Sequence, residues 1–304
     1  MAQFFWKSES CSDELNSALR IVSGFYGDRI AENSGGQELE FRKAESNVVK
    51  ITRNGSVYRI EAGSLSGWLR GVSHAFAGVD ADESAPFETL GIMLDCSRNK
   101  VFSLSYLKEM LVRLSLMGYN MAMLYTEDTY ALPGEPFFGY MRGAFTVEEL
   151  KEADAFAGQL GIELIGCIQT LGHLEQILAY GEYGKVRDTA SVLMVDEPET
   201  YKLIEKMILF WKEALSTRRL HIGMDETHDL GRGRFLDHNG YESAFELFNR
   251  HLGRVNRLCQ ENGFRPVIWS DMYFRLGNKT QTYYDLHTNI PQEVRARIPR
   301  NVQL

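Results

Sequence analysis

Arg219-Leu220-His221-Ile222-Gly223-Met224-Asp225-Glu226 decides how this chain is read. The mainly apolar run 219–224 has the length of a buried strand, and it ends in two adjacent carboxylates. A polar segment follows, Thr227-His228-Asp229-Leu230-Gly231. In parallel α/β proteins the carboxyl ends of strands carry the chemistry. Two neighbouring carboxylates repel when both are ionised, so their proton affinities separate; one stays charged while the other can hold a proton near neutrality. Glycoside cleavage needs such a split pair. An acidic pair at a helix N-terminus would be favoured by the helix dipole, but an apolar His-Ile-Gly-Met lead-in is unusual for a surface cap.

Outward from this stretch, short apolar runs alternate with long amphipathic ones. Strands are predicted at 91–95, 120–126, 162–168, 220–224 and 267–269, and helices at 105–117, 147–159, 198–215 and 241–262. Gly118, Gly161 and Gly263 fall just past three of the helices, where a C-terminal cap sits. The alternation implies parallel strands joined by crossovers, which suits a doubly wound sheet or a closed barrel. The polar residues decide between them. Asp95 to Arg98, Glu127-Asp128, Gln169 to His173, Asp225-Glu226 and Ser270-Asp271 each follow a predicted strand. Polar groups delivered to one end by successive strands describe a barrel rimmed by loops, whereas a doubly wound sheet gathers its site at one switch point. No Gly-x-Gly-x-x-Gly turn follows the first strand, so no dinucleotide cofactor is expected.

The predicted fold class is therefore α/β, a TIM (β/α)8 barrel that is incomplete here. About five strands are legible and Val302-Gln303-Leu304 looks like the start of a sixth, whereas closure takes eight. The expectation is a fragment cut in the sixth strand, unstable and inactive by itself.

Residues 1–85 follow a different pattern. A helix is predicted over 12–26, strands over 37–42 and 47–53, a two-residue hairpin turn at Asn54-Gly55, and a returning strand at Val57-Tyr58-Arg59-Ile60. Ser64 is placed to cap a helix over 65–76. The predicted organisation is a small non-catalytic α+β domain over 1–85 and the N-terminal portion of a catalytic barrel over 86–304. The acidic run Val79-Asp80-Ala81-Asp82-Glu83-Ser84, with Pro86 after it, reads as the linker.

The 304 residues carry 33 Lys and Arg against 41 Asp and Glu, a formal net charge of -8 with no basic run. That argues against a nucleic-acid partner. The first ten residues lack an apolar signal-type core and no run is long enough to span a bilayer, so no membrane partner is expected. Cys11, Cys96, Cys167 and Cys259 are scattered, with no Cys-x-x-Cys pair, which fits a reducing cytoplasm.

Several rim residues can carry chemistry. Arg98 can fork two adjacent hydroxyls or a carboxylate, or form a salt bridge to Asp95 or Glu127. His173 ends a loop that follows a strand. Trp269 can stack on a sugar face or pack in the barrel core, with Asp271 beside it. Glu127 and Asp128, flanked by Tyr125 and Tyr130, suit a hydroxyl-rich ligand or a solvated loop. His221, Asp225 and His228 would be the ligands of a zinc reading, but no His-Glu-x-x-His helix supports it, and His221 serves equally as a packed strand residue.

Taken in order, these motifs resemble the family 20 glycoside hydrolases, the β-N-acetylhexosaminidases. Asp225-Glu226 is similar to the family's acidic pair after the fourth strand, and Leu94-Asp95-Cys96-Ser97-Arg98 to its first-strand arginine motif. Tyr125 to Tyr130, Gly139-Tyr140-Met141-Arg142-Gly143, Gln169 to His173 and Trp269-Ser270-Asp271-Met272 most resemble a compact bacterial branch lacking secretion signals. The similarity covers about 88–304. It implies an exo-acting, retaining enzyme without a protein nucleophile, in which the substrate's 2-acetamido oxygen attacks the anomeric carbon to give an oxazolinium intermediate. Glu226 would be the acid and base, and Asp225 the anion that holds the acetamido N–H. Arg98 would grip the outer hydroxyls, His173 would support the pocket and Trp269 would line it. The family's acetamido-steadying tyrosine and further tryptophans come from later strands. A non-catalytic sugar-binding barrel would keep Arg98 and Trp269 but have no use for a proton-switching Glu226. A metal-dependent hydrolase would draw on His173, His221 and Asp225.

Overall fold

Among the described residues two sheets carry the chain, each built from a different apolar pattern. The structure, a computed structural model, describes residues 3–45, 47–278, 282 and 289–304.

Six strands form the first sheet: β1 (Phe4–Trp6), β2 (Ile30–Glu32), β3 (Gln37–Lys43), β4 (Val48–Asn54), β5 (Val57–Ala62) and β6 (Ala81–Ser84), in the order β2-β1-β3-β5-β4-β6. Strands β2, β1, β3 and β5 pair in parallel, and β4 runs antiparallel to β5 and β6. Helix α1 (Asp13–Phe25) begins where the Ser12 side chain accepts the Leu15 N–H, and α2 (Leu65–Ala77) where Ser64 accepts the Gly67 N–H. Gly78, at φ 70°, ends α2. Leu39, Ile51 and Ile60 of the sheet are buried, as are Leu19, Val22, Leu69 and Val72 of the two helices. Gly71 lets α2 approach β5, since a Cβ there would lie 2.3 Å from Ile60 Cγ2.

Three features differ from the sequence expectation. Asn54 pairs with Val57, so the hairpin loop is Gly55-Ser56, one residue later than predicted, with Gly55 at φ 63°. The acidic run expected as a linker contains β6, with ion pairs from Asp82 to Lys50 at 3.6 Å and from Glu83 to Arg70 at 3.0 Å. An edge strand rich in charge deters further pairing, and the same composition mimics a linker. Strands β1 and β2 are three residues each, too short for an alternating pattern to register.

The second sheet contains β7 (Gly91–Asp95), β8 (Met121–Tyr125), β9 (Glu163–Cys167), β10 (Arg219–His221) and β11 (Arg265–Val267), in the order β11-β10-β9-β8-β7. Strands β9, β10 and β11 pair in parallel. A doubly wound sheet reverses direction beside its first strand; this one adds each strand beside the last, as a barrel does. The long helices of the crossovers are α3 (Leu104–Leu116), α4 (Val147–Gln159), α6 (Pro198–Ala214) and α8 (Ala244–Glu261); short helices α5 (Glu175–Leu178), α7 (Arg234–Asn239), α9 (Asp271–Arg275) and α10 (Gln292–Ala296) decorate the loops. Gln303 bridges Val267 in parallel: its N–H donates to Pro266 O at 3.0 Å, and its carbonyl accepts from Ile268 at 2.9 Å. The sheet is a partial (β/α)8 barrel, with the start of a sixth strand beside β11. Strand β10 stops at His221, earlier than predicted, because Gly223 and Met224 turn to φ 69° and 73°. Strand β11 lies two residues before its predicted position.

Two compact units result. One comprises Met1–Met93, Phe102–Met123 and Glu152–Leu164; the other comprises Leu94–Val101, Leu124–Lys151 and Ile165–Leu304. The carboxyl ends of all five barrel strands belong to the second. Among the described residues no helix is long and apolar enough to cross a membrane.

Candidate active site

The loop after β10 breaks the strand rule that neighbouring side chains point to opposite faces. Gly223 leaves the strand at φ 69° and donates its N–H to His221 Nδ1 at 3.1 Å. Met224 follows at φ 73° and Glu226 at φ 52°. Left-handed backbone on non-glycine residues costs about 1–3 kcal/mol each and persists where surrounding contacts impose it. Here it lets both adjacent carboxylates approach one histidine: His173 Nε2 lies 3.1 Å from Asp225 Oδ2 and 3.6 Å from Glu226 Oε2. His173 itself sits at φ 54°. Gly172 before it is obligatory, since a Cβ there would lie 2.6 Å from Asp225 O and 2.8 Å from Thr227 Cγ2.

The two acids have different surroundings. Asp225 is largely buried, and Gln169 Nε2 donates to its Oδ1 at 2.9 Å. Burial pushes its pKa up, but His173 and Gln169 outweigh this and hold the carboxyl below its ordinary value. The same contact with Asp225 raises the His173 pKa against the opposing effect of burial, helped by the charges of Asp225, Glu226 and Glu127. The two shifts reinforce one another and favour an imidazolium beside a carboxylate. Glu226 keeps 49% of its side chain exposed, with Arg275 Nη1 at 3.5 Å. Its N–H donates to Asp271 Oδ2 at 3.4 Å. Burial pushes the Asp271 carboxyl up; that backbone bond opposes the rise and the Asp225 charge adds to it. A held anion thus stands beside an accessible acid.

Arg98 is held from two sides. Asp95 Oδ1 accepts from Ser97 N, Ser97 Oγ and Arg98 N, while its Oδ2 pairs with Arg98 Nη1 at 2.9 Å. The guanidinium also lies over the Tyr125 ring at 4.8 Å and donates to the Tyr125 hydroxyl at 3.3 Å. The predicted salt bridge to Asp95 is present, yet the Arg98 side chain stays 53% exposed and can still meet a ligand. Glu127 and Asp128 are buried rather than presented on a solvated loop. Arg142 contacts Asp128 and the Ser97 carbonyl, and lies 3.5 Å from Glu127. Burial raises the pKa of both acids, and the charge of Arg142 opposes it.

Trp269 is 37% exposed, with its ring 4.8 Å from the His221 ring. His221 is buried, and burial drives its pKa down to about 4, so it is a neutral packing residue. Among the described residues no group of three His, Cys, Asp or Glu side chains could hold a metal ion, His221, Asp225 and His228 included.

Four residues that the sequence did not assign belong to this cluster: Gln169, Tyr125, Arg142 and Arg275. Gln169 and Tyr125 were detectable by position alone, since each stands at or just past a strand end, as Asp225 does. Arg142 lies in the Gly139–Gly143 run, which was given no role of its own, and Arg275 arrives from a short helix, where no local pattern marks it.

Known proteins supply the context for this geometry. The sequence profile described as "Glycosyl hydrolase family 20, catalytic domain" matches residues 87–290. Hexosaminidase D of Homo sapiens is 29% identical over 199 residues, covering 62% of this chain and 40% of that protein. Hexosaminidase D of Bos taurus is 28% identical over 177 residues, covering 55% of this chain and 51% of that protein. The chain thus spans about half the length, or less, of these curated relatives. Among solved structures, a GH20 exo-β-N-acetylglucosaminidase from Vibrio harveyi in complex with N-acetylglucosamine superposes with a TM-score of 0.72 at 18% identity, covering 99% of this chain and 53% of that one. A GH20 β-N-acetylhexosaminidase from Streptomyces coelicolor A3(2) gives 0.70 at 18% identity, covering 90% and 62%. At such identities the likeness is one of fold.

Proposed function

This chain belongs to glycosyl hydrolase family 20, and from that premise we propose that the protein containing it is an exo-acting, retaining β-N-acetylhexosaminidase. Its substrates are oligosaccharides or glycoconjugates ending in β-linked N-acetylglucosamine or N-acetylgalactosamine. It works in the cytoplasm without a cofactor, and residues 1–85 form a non-catalytic domain ahead of the barrel.

In this reading the substrate supplies the nucleophile. The 2-acetamido carbonyl oxygen attacks the anomeric carbon as the glycosidic C–O bond breaks, and Glu226 gives its proton to the departing oxygen. The resulting oxazolinium ion carries positive charge, which the Asp225 anion stabilises while accepting a hydrogen bond from the acetamido N–H. Glu226 then takes a proton from the water that opens the ring, and the β configuration is retained. Glu226 is exposed to the mouth, as an acid that must meet a leaving group has to be. Arg98 grips hydroxyls at the closed end, which confines cleavage to terminal sugars. Trp269 forms a wall, His173 steadies Asp225, and Asp271 holds the Glu226 backbone. Glu127 and Asp128, balanced by Arg142, build the floor beneath Arg98.

The observation that carries this reading is the double grip on Asp225, by His173 on one oxygen and Gln169 on the other, beside a half-exposed Glu226. The test compares an aryl 2-acetamido glycoside with its 2-hydroxy counterpart on the whole protein. The expected result is turnover of the first at least ~10²-fold faster. Equal rates would overturn the mechanism, and binding without turnover of either would leave a sugar-binding barrel.

A further inference from the structure

We propose that Gln169 is a positioning residue that ties the hydroxyl-gripping end of the pocket to the acetamido-binding end and fixes Asp225 in one orientation, as the anion. The inference rests on the reading just given for Asp225 and adds a residue to it.

Gln169 is fully buried just past β9. Its amide nitrogen has two protons, and both are used: one reaches Asp225 Oδ1 at 2.9 Å, the other the Tyr125 hydroxyl at 3.0 Å. The Tyr125 oxygen also accepts from Arg98 at 3.3 Å, so its own proton is directed to Glu127 Oε1 at 3.5 Å. Arg98 and Gln169 both donate to the Tyr125 oxygen, and Gln169 also donates to Asp225, so Tyr125 and Gln169 link Arg98 to Asp225 through three hydrogen bonds. The partners also decide which way the amide faces, because turning it over would set its oxygen against a carboxylate.

This grip favours a single protonation state. An N–H aimed at Oδ1 stabilises the carboxylate more than the protonated acid. His173 holds the other oxygen, but its charge changes with pH, whereas the amide does not titrate. Two grips on two oxygens also stop the carboxylate from rotating. Gly223 completes the device: a Cβ there would lie 2.1 Å from Gln169 Oε1 and 2.7 Å from Ile168 O. The glycine that releases the backbone toward Asp225 therefore also makes room for the amide that holds it.

The experiment uses the whole protein with Gln169→Glu and Gln169→Met, read by steady-state kinetics on an aryl 2-acetamido glycoside and by ¹³C NMR titration of the Asp225 carboxyl. Gln169→Glu sets a second carboxylate against Asp225, so the two share a proton; the acid limb of kcat/KM moves up by about 1–2 pH units, and the Asp225 titration moves with it. Gln169→Met removes the grip without adding charge, and kcat falls roughly 10-fold with KM changing less than about twofold. Should Gln169→Met fail to fold, the near-isosteric Gln169→Glu carries the test. Folded variants with a wild-type acid limb, kcat and Asp225 titration overturn the proposal. The NMR arm separates the two ideas: a wild-type protein that does not prefer the 2-acetamido substrate sinks the functional reading, while an Asp225 titration unmoved in Gln169→Glu sinks this one.

Discussion

The β4–β5 hairpin and the loop after β10 both turn the chain through positive φ, and they use different residues to do it. In the hairpin the turn falls on Gly55 at φ 63°, with nothing within 4 Å of where a Cβ would stand. After β10 the turn begins on Gly223 and then continues onto Met224 and Glu226 at φ 73° and 52°. The hairpin needs only a shape, so the residue without a side chain serves it. In the proposed mechanism the β10 loop needs that shape and a carboxylate at the same position, which accounts for the strain on Glu226.

The largest effect that would break this contrast is on turnover. Glu226→Gln in the whole enzyme keeps the backbone and removes the proton, and kcat on a poorly activated 2-acetamido substrate is expected to fall about 10²–10⁴-fold while the melting temperature holds. A kcat within about threefold of wild type would put the strain down to packing alone. Asp225→Asn comes next, with kcat expected to fall roughly 10²–10³-fold, because in the proposed mechanism the amide cannot offset oxazolinium charge.

His173→Gln sharpens the contrast through pH. The folded pKa of Asp225 is depressed, so its contribution is present above its ordinary 3.8 and lost as pH falls through the folded value. The folded pKa of His173 is raised, so its contribution is full below its ordinary 6.5 and lost as pH rises through the folded value. The variant is therefore expected to lose about 1–2 kcal/mol, most clearly near pH ~4–6, and to converge with wild type at alkaline pH. Denaturant melts across pH check this; a loss independent of pH would remove the ion pair from the account. Gly55→Ala is expected to cost about 1 kcal/mol from backbone strain with kcat unchanged, measured by the same melts. The smallest effect is the stability of Glu226→Gly. Relief of left-handed strain and the added chain entropy nearly cancel, so stability stays within about 0.5 kcal/mol of wild type although turnover is lost.

Legibility in the sequence followed the range of the interactions involved. Strand β7 and helix α4 lie at their predicted residues, and Ser12 and Ser64 begin their helices, because apolar period and capping act over a few residues. Asp225 and Glu226 were conspicuous because they end an apolar run. Strand β6 was misread since an edge strand carries linker-like charges, and β10 was read too long because Ile222, Gly223 and Met224 continue its apolar character after its geometry has ended. Arg142 lies in a run that the resemblance picks out, but its pairing with Asp128 and Glu127 is not written locally, as those acids stand in another loop.

By itself the sequence determined the alternation of strands and helices, the barrel order that follows from it, and the adjacency of the two acids. Each of those is written in neighbouring residues, where a two- or 3.6-residue period can act. Only the tertiary structure decided that His173 and Gln169 take opposite oxygens of Asp225, that Arg98 meets Tyr125, and that Arg142 lies between two buried acids. Those contacts join strand ends that the chain visits far apart, and burial sets the strength of each charge only once the strands have packed side by side.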